Sequence, residues 1–434
     1  KGTTIIAKVK PSLKERGNNG ARRKEYFNLE TCHHDIYPDA AEFKVEEGKK
    51  IRTTDCIRYE FIPPRFIKHI YHQHYYACKG TVYAGSLPAV PLLNSNYDAS
   101  FIAGILQLRY IYSMPVERII KLFAEHGFEM NKATAHGLIK KAAGLFDLVE
   151  DVLKETVLSD NYLSMDESYY TVLTSDTNNQ SGKSTAKGYI WAALANHLKL
   201  VHFFYENGSR SRKVLTGYLR EDYRGAIQSD GLGNYKIIEK EAYPDAIRLS
   251  CFQHCKRKFL NITGNKDAEK IVRIINRLYQ NEHRIPPDWT ACQILDYRNK
   301  YAPPILKELK EELINIKNKK STLPKSELSK AINYTLNEYD ALCNYIRSAD
   351  YAPDNNAIER LMRYISLSRR NSLFCGSHQG AKRAALIYSL ACSCRLNNIN
   401  SFEYFKDLLT KLIDINPNTD HETIRNLLPH KWQR

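Results

Sequence analysis

The sequence predicts an α/β fold on a mixed sheet, preceded by a small N-terminal β-rich module and a helix-turn-helix-like helical domain. Three observations lead to that class. Hydrophobic residues are 43% of the 434, enough for a sizeable core and too many for a disordered chain. Between residues 159 and 250, apolar runs of strand length are separated by turns and helical stretches, reading as three strands, helix, strand, helix, strand. On both sides of that stretch apolar residues recur at helical spacing, so helices pack on the sheet.

Lys and Arg number 64 against 48 Asp and Glu, a formal net charge of +16. Such a surplus bears on partners rather than fold. It favours a polyanion, nucleic acid before membrane, because no amphipathic anchor stands out. No apolar run approaches the ~18 residues of a membrane span, and the first residues lack the apolar stretch of a signal peptide. Ten cysteines, with no Cys-x-x-Cys, are too sparse for a disulfide scaffold and suit a reducing compartment. The expectation is a soluble, basic, intracellular protein. It begins at Lys1 rather than Met, so a preceding piece is expected.

Residues 1–24 carry eight basic side chains against one acid, Glu15, and read as a flexible basic arm or, equally, a solvated tail. Residues 25–95 form the β-rich module: residues 57–62 alternate, Pro63-Pro64 breaks the run, residues 66–71 resume it, and residues 87–91 are an extended linker. Residues 96–158 turn helical through Phe101, Ile105, Leu108 and Ile111. Pro115 starts a helix that Gly127 closes, and Asn131 or Thr134 caps the next, which carries Lys140 and Lys141. That pair resembles a helix-turn-helix whose second helix reads the major groove, although two helices joined by a Gly turn are common without DNA.

In residues 159–250 a strand at 162–165 leads into Asp166, strands follow at 188–195 and 200–205, and Ser209 caps a helix through Leu219. A strand at 225–229 runs into Asp230-Gly231, residues 235–242 are helical, and residues 246–250 are the fifth strand. Residues 251–352 are helical, with amphipathic faces at 271–278 and 305–316. Residues 353–413 hold a helix starting near Asp354, with Ile358, Leu361, Met362 and Ile365 in one stripe, and a last helical block at 380–413. Residues 414–434 read as a tail.

Asp166 ends a strand in an apolar segment, where a carboxylate needs a cation or metal to offset its burial. Glu167 points to the other face, because side chains alternate along a strand. Asp230 sits at the carboxyl end of a strand before a Gly turn, the crevice position of α/β sheets. Glu359 lies beside its helix's apolar stripe, either as a surface partner of Arg363 or as a third acid facing the sheet. Three such carboxylates form a hard-oxygen site suited to Mg²⁺. Two ions would serve an in-line phosphodiester displacement, which in so basic a chain points to nucleic-acid cleavage or strand transfer. Cys251, His254 and Cys255 lack a second ligand pair for zinc, and Cys32, His33, His34, Cys56 and Cys78 make an equally weak set. Lys256-Arg257-Lys258 reads as a phosphate-facing edge or a solvated cluster.

These residues fall into blocks that together resemble a known family. Asn355-Asn356-Ala357-Ile358-Glu359-Arg360-Leu361-Met362-Arg363 and Arg369-Arg370-Asn371-Ser372-Leu373-Phe374-Cys375-Gly376-Ser377 are similar to the C-terminal signature of insertion-sequence-66 family transposases. So are Gly380-Ala381 through Tyr388-Ser389-Leu390 and the block from Asn400 to Asp407. Upstream, Asp166-Glu167-Ser168, Ser229-Asp230-Gly231 and the block from Cys251 to Phe259 follow in the family's order.

The resemblance implies an RNase H-like catalytic core of the DDE class with a helical insertion before the last acid. The catalytic and metal-holding acids would be Asp166, Asp230 and Glu359, with two Mg²⁺ or Mn²⁺ ions as cofactors. It implies hydrolysis at the ends of an insertion sequence, freeing 3′-hydroxyls that attack target DNA. The implied partners are double-stranded DNA (terminal inverted repeats and target), further copies of the chain bridging two ends, and small accessory proteins of the same element, all on the bacterial nucleoid. Candidate DNA contacts are Lys140, Lys141, His254, Lys256, Arg257, Lys258, Arg360, Arg363, Arg369 and Arg370. The family's N-terminal zinc module is reduced here to Cys32-His33-His34 and Cys78 alone, an incomplete set for Zn²⁺. The runner-up is a catalytically inert DNA-binding derivative, and no motif of a tyrosine recombinase is present.

Overall fold

In a computed structural model of the chain, residues 64–78, 81–93, 95–173, 184–231, 233–236 and 243–433 are described. The chain divides into two units, residues 1–63 and 64–434, and all of the described residues belong to the second. The basic arm, the alternating run at 57–62, and Cys32, His33, His34 and Cys56 lie outside the described residues.

The first regular element is an antiparallel hairpin of β1 (Tyr75–Cys78) and β2 (Thr81–Ala84), with Tyr75 opposite Ala84. The strand expected at 66–71 is absent, and that segment is irregular. Its alternating side chains meet no partner ladder: Ile67 is 62% and Ile70 65% exposed. Phe66 anchors it, against the rings of Phe101, Phe123 and Phe128.

Helix α1 (Ala99–Leu106) is capped by the Asp98 carboxylate and runs into a wider π-type turn at residues 107–111. Helix α2 (Val116–Glu125) ends as expected at Gly127, whose φ of +81° suits glycine. There Gly127 N–H donates to Ala124 O and Phe128 N–H to Phe123 O, closing the last turn. Asn131 caps α3 (Lys132–Leu158) by accepting from Thr134 N–H. At 1.5 Å per residue α3 is about 40 Å long, and it buries residues from Ala135 to Leu158 along its length.

The sheet comprises β3 (Tyr162–Leu173), β4 (Thr185–Ala195), β5 (Leu200–Glu206), β6 (Ala226–Gln228) and β7 (Ile247–Leu249), in the order β5-β4-β3-β6-β7. The first three are antiparallel neighbours, whereas β6 runs parallel to β3 and β7 parallel to β6. Strand β3 does not end at Asp166. It pairs with β4 from Leu163↔Ala195 to Leu173↔Thr185, so Asp166 lies inside a twelve-residue strand. Helix α4 (Arg212–Tyr218) follows β5, with Ser211 rather than Ser209 at its N-cap. Between β6 and β7, residues 233–236 form a 3₁₀ turn, and residues 237–242 lie outside the described residues.

After β7 come α5 (Phe252–Leu260), α6 (Lys266–His283), α7 (Ala291–Lys317), α8 (Glu327–Asn337) and α9 (Tyr339–Cys343). Their apolar faces (Ile271, Ile275, Leu278, Leu309, Leu313, Ile332) form a cluster that meets the sheet at Tyr162, Ala226 and Leu249. Helix α10 (Asn356–Asn371) then crosses β3, and α11 (His378–Leu396) packs on β5. The single block expected at 380–413 is two helices. The chain turns through Asn398 at φ +56° before Asn400 caps α12 (Ser401–Lys411). The segment read as a tail is folded back on α12: it carries α13 (His421–Arg425), Tyr404 Oη donates to Leu427 O at 3.0 Å, and Trp432 Nε1 donates to Asp407 at 2.7 Å. Among the described residues no helix is long and apolar enough to cross a membrane.

Candidate active site

Adjacent parallel strands lead to the first pair of acids. Gln228 on β6 lies beside Ser164 on β3 in a parallel ladder. Strand β6 ends there, and Asp230 follows two residues on, near enough to Asp166 for its charge to help raise the Asp166 carboxyl. Gly231 follows because a side chain there would run into the Tyr334 ring, and its N–H donates to Tyr334 Oη at 3.1 Å.

The third acid comes from the helix over the sheet. Glu359 stands in the first turn of α10. The N-cap Asn355, 1% exposed, pins that turn: its Nδ2 donates to Met165 O at 2.9 Å and its backbone N–H to Cys251 Sγ at 3.3 Å. Met165 precedes Asp166, so one buried amide ties the start of α10 to the strand position that carries the acid. Glu359 does not pair with Arg363. Its carboxylate faces His254 Nδ1 at 3.5 Å and Arg257 at 3.7 Å, both from α5.

Burial, and after it the neighbouring carboxylates Glu167, Asp230 and Glu359, push the Asp166 carboxyl well above the ordinary range. Glu167 lies on the opposite side, as strand alternation requires. Its side chain is fully buried, paired with Arg210 at 2.6 Å, and accepts from Tyr235 Oη at 2.7 Å. Burial also raises Glu167, with the charge of Asp230 adding to it, while Tyr235 and Arg210 oppose the shift. In turn burial and the Glu167 charge hold the Tyr235 phenol well above its usual range. The partners of Glu167 are not visible in the sequence, because Arg210 and Tyr235 lie 43 and 68 residues away.

The basic candidates divide by environment. Arg257 is turned toward Glu359. Lys256 lies over the Tyr279 ring at 5.5 Å and Lys258 over Tyr334 at 4.2 Å. Arg369 is tied to the sheet: it donates to Ser168 Oγ and Tyr169 O and stacks at 3.9 Å on the Tyr169 ring. Arg360, Arg363 and Arg370 are exposed, and their spacing of three and seven puts them on one face of α10. Lys140 and Lys141 are exposed on α3. Cys255 turns into the second apolar cluster, whereas Cys251 and His254 gather with Glu359. That grouping is invisible in the sequence because Glu359 is over a hundred residues from Cys251.

The sequence profile of the Transposase IS66 family matches residues 94–383. Three proteins of Sinorhizobium fredii (strain NBRC 101917 / NGR234), each described as uncharacterized, are similar over most of the chain. Protein y4jD is 26% identical over 371 residues, covering 82% of this chain and 70% of its own. Proteins y4hP and y4qI are both 24% identical, covering 77% and 85% of this chain and 62% and 69% of their own. With two-thirds of its length inside the family profile, the chain belongs to the IS66 family of transposases, of the DDE class.

Proposed function

We propose that the protein cuts DNA at the terminal inverted repeats of its insertion sequence and joins the freed ends to target DNA, using Asp166, Asp230 and Glu359 as the catalytic acids. In this reading residues 159–250 and 353–413 form an RNase H-like core, residues 251–352 are a helical insertion, and residues 96–158 bind DNA. The observation that supports the reading is that Asp230 and Glu359, from distant parts of the chain, both stand near enough to Asp166 to raise its carboxyl.

The residues fit a divalent cation. Asp166 is buried near three other carboxylates, while Arg257 pairs with Glu359 and Arg210 with Glu167. Carboxylate oxygens suit Mg²⁺ or Mn²⁺. Bound there, such ions would activate the attacking oxygen and stabilise the leaving one. The protein's own part is positioning. Asp166 is held within β3 and Asp230 follows β6, Asn355 fixes the turn that bears Glu359, and His254 and Arg257 orient its carboxylate. Arg360, Arg363 and Arg370 would meet phosphates along the same helix, with Lys140 and Lys141 on the candidate reading helix. Lys256 and Lys258 are half committed to aromatic rings and would contribute less; Arg369 serves the sheet.

The proposal extends to homo-oligomers bridging two ends, accessory proteins of the same element, and action on the bacterial nucleoid. Its test is a labelled duplex carrying the terminal repeat, incubated with the protein in Mg²⁺, in Mn²⁺ and in EDTA. The expected products are metal-dependent nicks with 3′-hydroxyl ends. A gel shift without cleavage in either metal would favour the inert DNA-binding alternative, and a covalent protein–DNA adduct in EDTA would exclude the proposal.

A further inference from the structure

One group of donors around Glu359 differs in chemistry from the three acids. Cys251, His254 and Glu359 each present a ligand atom, and the thiol sulfur, imidazole nitrogen and carboxylate oxygen lie within 4.8 Å of one another. Local structure puts them there. Cys251 is the N-cap of α5 and His254 follows three residues later, so both fall on one side of its first turn. Glu359 arrives from α10, whose N-cap Asn355 donates its backbone N–H to the same Cys251 sulfur.

A second observation concerns what these atoms lack. His254 Nδ1 and Glu359 Oε1 are shut off from solvent, and neither has a hydrogen-bond partner. They face each other at 3.5 Å, too far for a good hydrogen bond. Buried polar atoms are almost always satisfied, and a pair left open beside a thiol marks the place of an occupant. Sulfur, imidazole nitrogen and carboxylate oxygen together match Zn²⁺, which takes four such ligands and leaves one position here for water or a phosphate oxygen. Mg²⁺ does not choose sulfur.

We propose that Cys251, His254 and Glu359 form a Zn²⁺ site that shares Glu359 with the hard-oxygen acids. Binding replaces the thiol proton, which leaves to solvent, with the metal. Because Glu359 Oε1 is then held by zinc, the third acid is withdrawn from Asp166 and Asp230, and zinc acts as an inhibitor of Mg²⁺-dependent cleavage. The inhibitory consequence rests on the function proposed above; the binding site does not.

The test uses the full chain, stripped of metal and titrated with Co²⁺ and with Zn²⁺ in the absence of DNA. Wild-type protein is expected to show a thiolate-to-cobalt charge-transfer band. Cys251→Ser is expected to lose that band and one equivalent of bound Zn²⁺, a difference that cysteines elsewhere in the chain do not affect. His254→Asn, at a half-buried position, provides a variant less exposed to misfolding and is expected to weaken Zn²⁺ binding at this site by at least ~100-fold. Identical stoichiometry and spectra in wild type and both variants would overturn the site, whether or not the protein cuts DNA. In Mg²⁺, added Zn²⁺ should suppress wild-type cleavage and leave Cys251→Ser at its own zinc-free rate. Bound zinc with unchanged wild-type cleavage would overturn the sharing of Glu359.

Discussion

Asn355→Ala probes how the fold aims the acid on α10. Asn355 is buried, and its amide makes one hydrogen bond, to Met165 O at 2.9 Å, while its Oδ1 has no partner. Truncation therefore removes one bond and leaves one dry carbonyl unpaired, at a cost of about 1–3 kcal/mol. The orphaned Oδ1 disappears with it, which favours the lower half of that range. An unfolding entropy of about 2.1 cal/mol/K per residue over roughly 370 residues turns this into a melting shift of about 1–3 °C. Activity should fall much further, because Glu359 loses the anchor beside Asp166, and a displacement of about 1 Å at a reacting centre costs ~100-fold. Calorimetry paired with single-turnover cleavage separates the two effects. Cleavage at the wild-type rate, or a rate loss explained by a melting drop near ~10 °C, would refute the positioning role.

Three further outcomes rest on the same geometry. Asp166 titrates above its unfolded value, so its charge opposes folding: stability falls as pH rises from about 4 through the raised folded value, and is lowest above it. Without metal, Asp166→Asn should then melt higher than wild type at pH 8, with the gain vanishing near pH 4; a lower melting point at pH 8 would contradict the crowded-carboxylate picture. Arg248 and Glu338, each 1% exposed, pair at 2.5 Å between β7 and the turn before α9. Arg248→Met should cost about 3 kcal/mol in denaturant unfolding, the low end for a broken buried pair because Lys236 stays 3.2 Å from Glu338. Gly231→Ala forces its methyl against the Tyr334 ring and should reduce cleavage by shifting Asp230, with partial recovery when Tyr334→Ala restores the space; no recovery would place the fault elsewhere.

Much of the sheet is legible in the sequence because its strands are short apolar runs between turn residues. Strands at 188–195 and 200–205 differ from β4 and β5 by three residues at the start of one and a single residue at the end of the other. The extension of β3 past Asp166 is hidden because Ser168, Tyr169 and Thr171 mix polar and aromatic side chains, and only the matching length of β4 makes them strand. Residues 66–71 show the converse, an alternating pattern without a neighbour to pair with. Asp166 and Asp230 stand out from their position against strands. Glu359 cannot be separated by spacing from any surface Glu–Arg pair, and its place depends on the contact of Asn355 with Met165, 190 residues away. Arg369 stands among the candidate phosphate contacts by its charge, which is visible in a sequence, whereas its contact with the Tyr169 ring is not.

Single-turnover cleavage of a terminal-repeat duplex by Asp166→Asn, Asp230→Asn and Glu359→Gln, each with DNA binding measured in parallel, decides whether these three acids are the catalytic set. All three variants should bind the repeat like wild type, and none should cut it in Mg²⁺ or Mn²⁺. Cutting at the wild-type rate by any one of them would remove that residue from the reaction and with it the proposed metal site.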